Sequence, residues 1–242
     1  MYQRLLHIAV LTVVSPLLYA ESVTVAVASN FATTSNALAA DFQSRTGHEA
    51  VLTFASSGKL YAQIKQGAPF DVFLSADQAK PQLLANETEK QPFTYAIGRL
   101  VLWSLDEGLV SDGLPDHTQY NKLALANPRF APYGVAAEEV LAALGQTSRS
   151  KWVLGENINQ ALQFAASGAA DLGFIGYAQW LKVNDRGSHW LIPAELHKPI
   201  RQDALLLDPS NTSAVAFVAY LQSEAALKIM HRDGYLAPIE LP

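Results

Sequence analysis

The chain has 242 residues, of which 50% are hydrophobic, with 17 basic and 22 acidic side chains, a net charge of −5, and no cysteine. This composition excludes a disordered or collagenous chain. It also excludes disulfides, thiolate metal sites, a cysteine nucleophile and a lipid-modified cysteine. A broad basic footprint for nucleic acid or anionic lipid is absent, so any anionic partner requires a local site.

The first twenty residues read as a secretory signal. Arg4 precedes an apolar stretch from Leu5 to Leu18, broken by Pro16, and Leu18-Tyr19-Ala20 stands before Glu21. The apolar run is shorter than the roughly 20 residues that span a bilayer, so cleavage after Ala20 is expected rather than a retained anchor. The remaining 222 residues carry 16 basic and 22 acidic groups and stay acidic. A soluble protein outside the inner membrane, in the periplasm, is expected. That length allows one large domain or two lobes of about 100 residues each.

Val23 to Ala28 is a β-branched apolar run that stops at Ser29-Asn30, which predicts a strand feeding a helix. That helix is expected over Thr34 to Thr46, with Leu38 and Phe42 stacked at i, i+4 and Gly47 as its stop. Glu49 to Phe54 reads as a second strand, followed by Ala55-Ser56-Ser57-Gly58 and a helix through Leu60 and Ile64 to Gly67. Asp71 to Ala76 reads as a third strand, with Asp77 capping a helix towards Asn86. Three strand-turn-helix units in succession predict a parallel sheet with helices on its faces.

Phe93 to Trp103 is longer than one strand needs and reads as a crossing into a second lobe. There the pattern restarts with a strand at Leu123 to Ala126 and a helix from Val135 to Leu144, opened by Tyr133-Gly134. Lys151 to Leu154 leads through Glu156-Asn157-Ile158-Asn159 into a helix to Gly168, and Asp171 to Ile175 is a buried strand. Pro199 to Leu207 is the expected return crossing, and Ser213 to Met230 supplies two terminal helices.

Four strand-to-helix turns, at Ser29-Asn30, Ser56-Ser57, Pro132-Tyr133 and Asn157-Ile158, share the sheet edge at which such folds bind ligands. Helix N-termini with serine hydroxyls make anion sites, although serine and asparagine also cap helices with no ligand present. Other chemistries are poorly supported. His48, His117, His189, His197 and His231 lack metal-ligand spacing, and Glu138-Glu139 point about 100° apart on a helix. Gly58-Lys59 lacks the rest of a P-loop, and Gly168, Gly173 and Gly176 do not fit a dinucleotide fingerprint. Ser56-Ser57-Gly58-Lys59 matches S-x-x-K of serine acyl enzymes, with Ser56 as nucleophile. Its companions are missing: Ser111-Asp112-Gly113 is a poor S-D-N, and there is no K-T-G.

Several blocks in order resemble the periplasmic molybdate-binding proteins of bacterial ABC uptake systems. They are Thr24 to Phe31, Phe54 to Gly58, Tyr61 to Ile64, Gly67 to Asp77, Tyr95 to Ser104, Ala131 to Gly134 and Ala166 to Phe174. The most specific is Gly67-Ala68-Pro69-Phe70-Asp71-Val72-Phe73-Leu74-Ser75-Ala76-Asp77. The resemblance implies a type II periplasmic binding fold of class α/β: two lobes, each a mainly parallel sheet flanked by helices, joined by two crossing hinge strands. Lobe one is then residues 21–98 and 204–242, and lobe two is residues 99–203.

The resemblance further implies a non-enzymatic receptor for molybdate and tungstate, bound as oxyanions by Ser29, Asn30, Ser57, Tyr133 and Ile158. No cofactor, no direct cation ligand and no nucleic acid are expected. The implied partners are an inner-membrane permease and its cytoplasmic ATPase, with the receptor a monomer. Asn30 stands where other members have serine, so its side-chain amide is expected to donate in place of a hydroxyl. Tyr177 follows Gly176, where some members place a tyrosine, and is a further candidate. Sulfate or phosphate remains the alternative ligand, because residue types do not fix cavity size. No lysine or arginine is expected at the anion; Lys59 and Arg129 are expected to extend into solvent.

Overall fold

The computed structural model describes residues 22–86, 90–183 and 186–238. The expected cleavage after Ala20 lies outside the described residues. Strand β1 (Ser22–Ala28) buries Val23, Val25 and Val27 on one face and Ala26 on the other. Burial on both faces explains why the run is apolar throughout rather than alternating. On one side lies α1 (Ala32–Thr46), which buries Leu38 and Phe42. The edge strand β2 (Glu49–Ala55) pairs in parallel with β1 and leads into α2 (Ser57–Lys65).

Strand β3 (Val72–Leu74) pairs on the other side of β1. Its position is pinned by Asp71, whose Oδ2 accepts from the Thr24 backbone N–H at 2.6 Å and from the Thr24 hydroxyl at 2.8 Å. The helix α3 (Ala79–Ala85) follows; its N-cap is Gln78 rather than the expected Asp77, which lies one residue earlier and accepts the Lys80 N–H on Oδ1 at 2.9 Å.

The extended run after it is two strands in different sheets, β4 (Phe93–Gly98) and β5 (Leu100–Ser104), parted at Arg99. The second lobe comprises β6 (Leu123–Ala126), α4 (Pro132–Ala143), β7 (Trp152–Gly155), α5 (Ile158–Ala166), β8 (Leu172–Gly176), α6 (Tyr177–Trp180) and β9 (Ser188–Leu191). The chain then returns as β10 (Ile200–Leu206), and α7 (Thr212–Leu221) and α8 (Glu224–Arg232) pack on β1's helical face beside α1.

The sheet orders are β2-β1-β3-β10-β4 and β7-β6-β8-β5-β9. Position by position they correspond. In each, three parallel strands are followed by one antiparallel strand that has crossed from the other lobe, and then by an antiparallel edge. The crossing strand β10 joins the first sheet at the Ile200↔Gly98 pair, four residues before the return expected at 204. The strand β9 had no clear signal, because Ser188-His189-Trp190-Leu191 does not alternate; its pairing with β5 specifies it. Among the described residues no helix is long and apolar enough to cross a membrane.

The last helices are held by local caps. Asn211 accepts from the N–H groups of Ser213 at 2.9 Å and Ala214 at 3.2 Å, and its amide donates to the Ser22 carbonyl at 3.0 Å. Asn211→Ala is expected to cost about 1 kcal/mol, the usual value of a lost N-cap. The melting temperature should fall by about 2 to 4 °C with an unchanged denaturant slope.

Candidate functional site

Between the lobes lies a small cavity of ≈ 10 Å³ lined by Ala28, Ser29, Asn30, Ser56, Ser57, Ala76, Ala131, Pro132, Tyr133 and Ile158. No charged side chain is in that lining. The structure thus brings Ser29, Asn30, Ser57, Tyr133 and Ile158 together, from turns up to 129 residues apart in sequence. Each follows a strand of one of the parallel triplets. Ser29 and Asn30 leave β1 in a single 3₁₀ turn, Ser56 and Ser57 join β2 to α2, and the other two begin α4 and α5.

The helix starts supply backbone donors, because first-turn N–H groups have no acceptor within their own helix. In α4 the first position is Pro132, which has no N–H, so the first free amide is that of Tyr133. In α5 the Asn157 side chain takes the Gln160 N–H at 3.1 Å and leaves the amide of Ile158 uncapped by it. Among the side chains, Ser57 is 1% exposed and its Oγ accepts the Ala76 N–H at 2.9 Å. A hydroxyl with its oxygen so occupied keeps its proton to donate. The Ser57 hydroxyl is therefore a tertiary tie to the turn after β3 and is not a cap on its own helix.

The Asn30 side chain differs from expectation. Its Nδ2 donates to Gln202 Oε1 at 3.0 Å and to the Tyr235 hydroxyl at 3.3 Å, which commits both amide hydrogens away from a ligand. Gln202, in mid-β10 and fully buried, is the centre of this network. Its Oε1 also accepts from the Tyr95 hydroxyl at 3.0 Å, and its Nε2 donates to the Tyr133 hydroxyl at 3.3 Å. Tyr235 closes the loop by donating to the Asn30 carbonyl at 2.8 Å. Burial pushes the hydroxyls of Tyr95, Tyr133 and Tyr235 above the ordinary phenol range, so all three stay neutral.

Two contacts cross the cleft on its other side. The Gly58 N–H donates to the Phe130 carbonyl at 2.9 Å, an approach so close that a Cβ on Gly58 would lie 3.0 Å from that oxygen. Lys59 Nζ pairs with Glu156 Oε2 at 2.8 Å. Lys59 therefore reaches the opposite lobe instead of extending free into solvent, drawn there by the carboxylate of the β7–α5 turn. The Arg129 guanidinium stands over the Phe130 ring, 5.4 Å from its centroid.

Of the S-x-x-K pair, Lys59 Nζ is engaged by Glu156 and makes no hydrogen bond to Ser56. Tyr177 is not in the lining. Its ring lies under the Arg99 guanidinium at 3.8 Å, while Arg99 donates to the Gly234 carbonyl at 3.1 and 3.2 Å. It thus packs at the hinge rather than at the cavity. No group of three or more His, Asp or Glu side chains among the described residues is arranged to hold a metal ion.

Gln202, Tyr95 and Tyr235 were not anticipated. The one sequence signal was Gln202-Asp203, a polar pair inside the apolar strand Pro199 to Leu207, which marks a buried polar cluster.

A family model described as bacterial extracellular solute-binding protein matches residues 23–236. The molybdate-binding protein ModA of Rhodobacter capsulatus is 43% identical over 225 residues, covering 90% of this chain and 89% of that protein. ModA of Azotobacter vinelandii is 43% identical over 227 residues, covering 89% and 90%. The solved structure of the Azotobacter vinelandii periplasmic molybdate-binding protein superposes with a TM-score of 0.83 at 38% identity, over 89% of this chain and 99% of that one.

Gly98, at the end of β4, leaves the space that the Tyr133 hydroxyl fills; a Cβ there would overlap that hydroxyl and lie 2.7 Å from Gln202 Nε2. Gly98→Ala is expected to displace the Tyr133 ring and wedge the lobes apart. The protein should lose about 1 to 3 kcal/mol of stability, as overpacked cores do. Its radius of gyration by small-angle X-ray scattering should rise relative to the native chain; an unchanged radius would show that the hinge absorbs the methyl without opening.

Proposed function

The chain belongs to the family of bacterial extracellular solute-binding proteins, and from that premise we propose that it captures molybdate, and tungstate with it, for ABC-transporter uptake. It binds the oxyanion without transforming it, acts as a monomer in the periplasm after loss of residues 1–20, and delivers the ion to a permease driven by a cytoplasmic ATPase. One observation carries the reading: a buried cavity whose lining is neutral and whose polar groups come from turns of both lobes. The molybdate-binding names of the relatives support the choice of ion.

The physical argument runs from the donors. Helix N-termini place partial positive charge and unsatisfied N–H groups at one point, which favours an anion. In a site closed to water those dipoles act at low dielectric and replace the anion's hydration shell. A cation would find no carboxylate in the lining. At ≈ 10 Å³ the cavity is far below the roughly 300 to 1,000 Å³ of sites for organic ligands.

Protein stripped of ligand by unfolding and refolding should gain about 4 kcal/mol at a thousandfold excess of molybdate over Kd. The melting temperature should then rise by several degrees. Tungstate should act alike, while sulfate and phosphate should do little, since a smaller anion leaves donors dry at about 1 to 3 kcal/mol each. An equal shift with sulfate would reassign the ion, and no shift with any oxyanion would sink the reading.

Ser57→Ala should raise the molybdate Kd about ten- to a hundredfold. The same change should lower stability, because the buried Ala76 N–H loses its acceptor. Lys59→Met should change Kd by less than about tenfold, as the Lys59–Glu156 pair is largely exposed and screened by salt. A hundredfold loss would mean that Lys59 touches the ion.

A further inference from the structure

Ser56 occupies the N-cap position of α2, with φ −67° and ψ 150°, yet its side chain makes no cap hydrogen bond. Serine at that position ordinarily accepts from a first-turn amide. Here the residue is only 3% exposed, and its Oγ is the one buried side-chain oxygen or nitrogen among the described residues without a hydrogen-bond partner. It lines the cavity between the lobes. Several neighbouring donors are committed elsewhere: the Gly58 N–H to the Phe130 carbonyl, Lys59 Nζ to Glu156, and the Ala76 N–H to Ser57.

A buried hydroxyl left without a partner carries an uncompensated desolvation penalty, so native structures retain one where something else supplies the bond. We infer that the Ser56 hydroxyl is a further ligand-binding and specificity-determining group, donating to an oxygen of the bound tetrahedral oxyanion beside Ser57. This rests on the oxyanion-receptor reading and adds a third lobe-one serine to it, beside Ser29 and Ser57. Every oxygen of a fully deprotonated tetrahedral oxyanion accepts, and a hydroxyl rotor with no competing acceptor turns its proton to the ion without loss. The adjacent serines thus divide two tasks. Ser57 holds the turn after β3 and donates, while Ser56 holds nothing in the protein and donates only.

The division makes the two alanine variants differ in kind. Ser56→Ala removes a group that supports no protein contact, so the ligand-free melting temperature should stay constant or rise, whereas Ser57→Ala should lower it. By isothermal titration with sodium molybdate, Ser56→Ala should raise Kd about tenfold or more, the effect of losing a hydrogen bond to a charged group. If the native protein binds molybdate and Ser56→Ala binds within twofold of it, the hydroxyl serves a fixed water or nothing, and the inference fails while the receptor reading stands. If Ser56→Ala lowers the ligand-free melting temperature as Ser57→Ala does, its role is structural and the inference fails likewise. If the native protein takes up no molybdate, tungstate, sulfate or phosphate, both fall together.

Discussion

The amide of Gln202 is the interaction on which the closed arrangement depends. A fully buried primary amide must find partners for its oxygen and its nitrogen, or each missing bond costs about 1 to 3 kcal/mol. Its oxygen finds them in Asn30 and Tyr95, both from the first lobe, and its nitrogen in Tyr133 from the second. Because one side chain is satisfied from both lobes, their relative position is selected at the hinge and not only at the cleft. Asn30 and Tyr133 also line the cavity, so the same bonds that fix the lobes fix two walls of the site. A polar network with every member satisfied is directional in a way that apolar packing is not.

The matched strand orders explain why four separate turns meet. In each lobe the first two strands of the parallel triplet end facing the cleft, and the chain leaves each of them into a helix. Placing two such sheets edge to edge sets helix starts against helix starts. The crossing strands β5 and β10 hold equivalent positions, so each lobe is completed by chain arriving from the other. This makes the hinge short, with Gly98-Arg99 as the whole of one connection.

Much of this was legible in the residues. The apolar runs leading to Ser29-Asn30 and Ser56-Ser57, and the Leu-Ala run ahead of Pro132-Tyr133, declared strand, turn and helix locally, and the length of Phe93 to Trp103 declared the crossing. The five residues expected at the ligand all line one cavity, though for Ser57, Tyr133 and Ile158 a local reading could not separate a cap from a donor. What escaped was set by tertiary placement. The Asn30 amide looks free in sequence and is spent on residues more than 170 positions away. Ser56 and Ser57 are adjacent and alike, and only the position of Ala76 shows which hydroxyl is tied. Lys59 reads as a solvated helix residue until Glu156 is found opposite.

The Gly58–Phe130 and Lys59–Glu156 contacts lie across the cleft, on the side away from the hinge network. An ion bound in the cavity, as proposed, would lie between those contacts and the hinge network. Its departure waits on separation of the lobes, so the residence time is a property of the gate more than of the ion. Adding competing anion outside a closed molecule cannot hasten exchange. Opening the lobes means parting at least a backbone hydrogen bond and a surface ion pair, each worth about 1 kcal/mol or less.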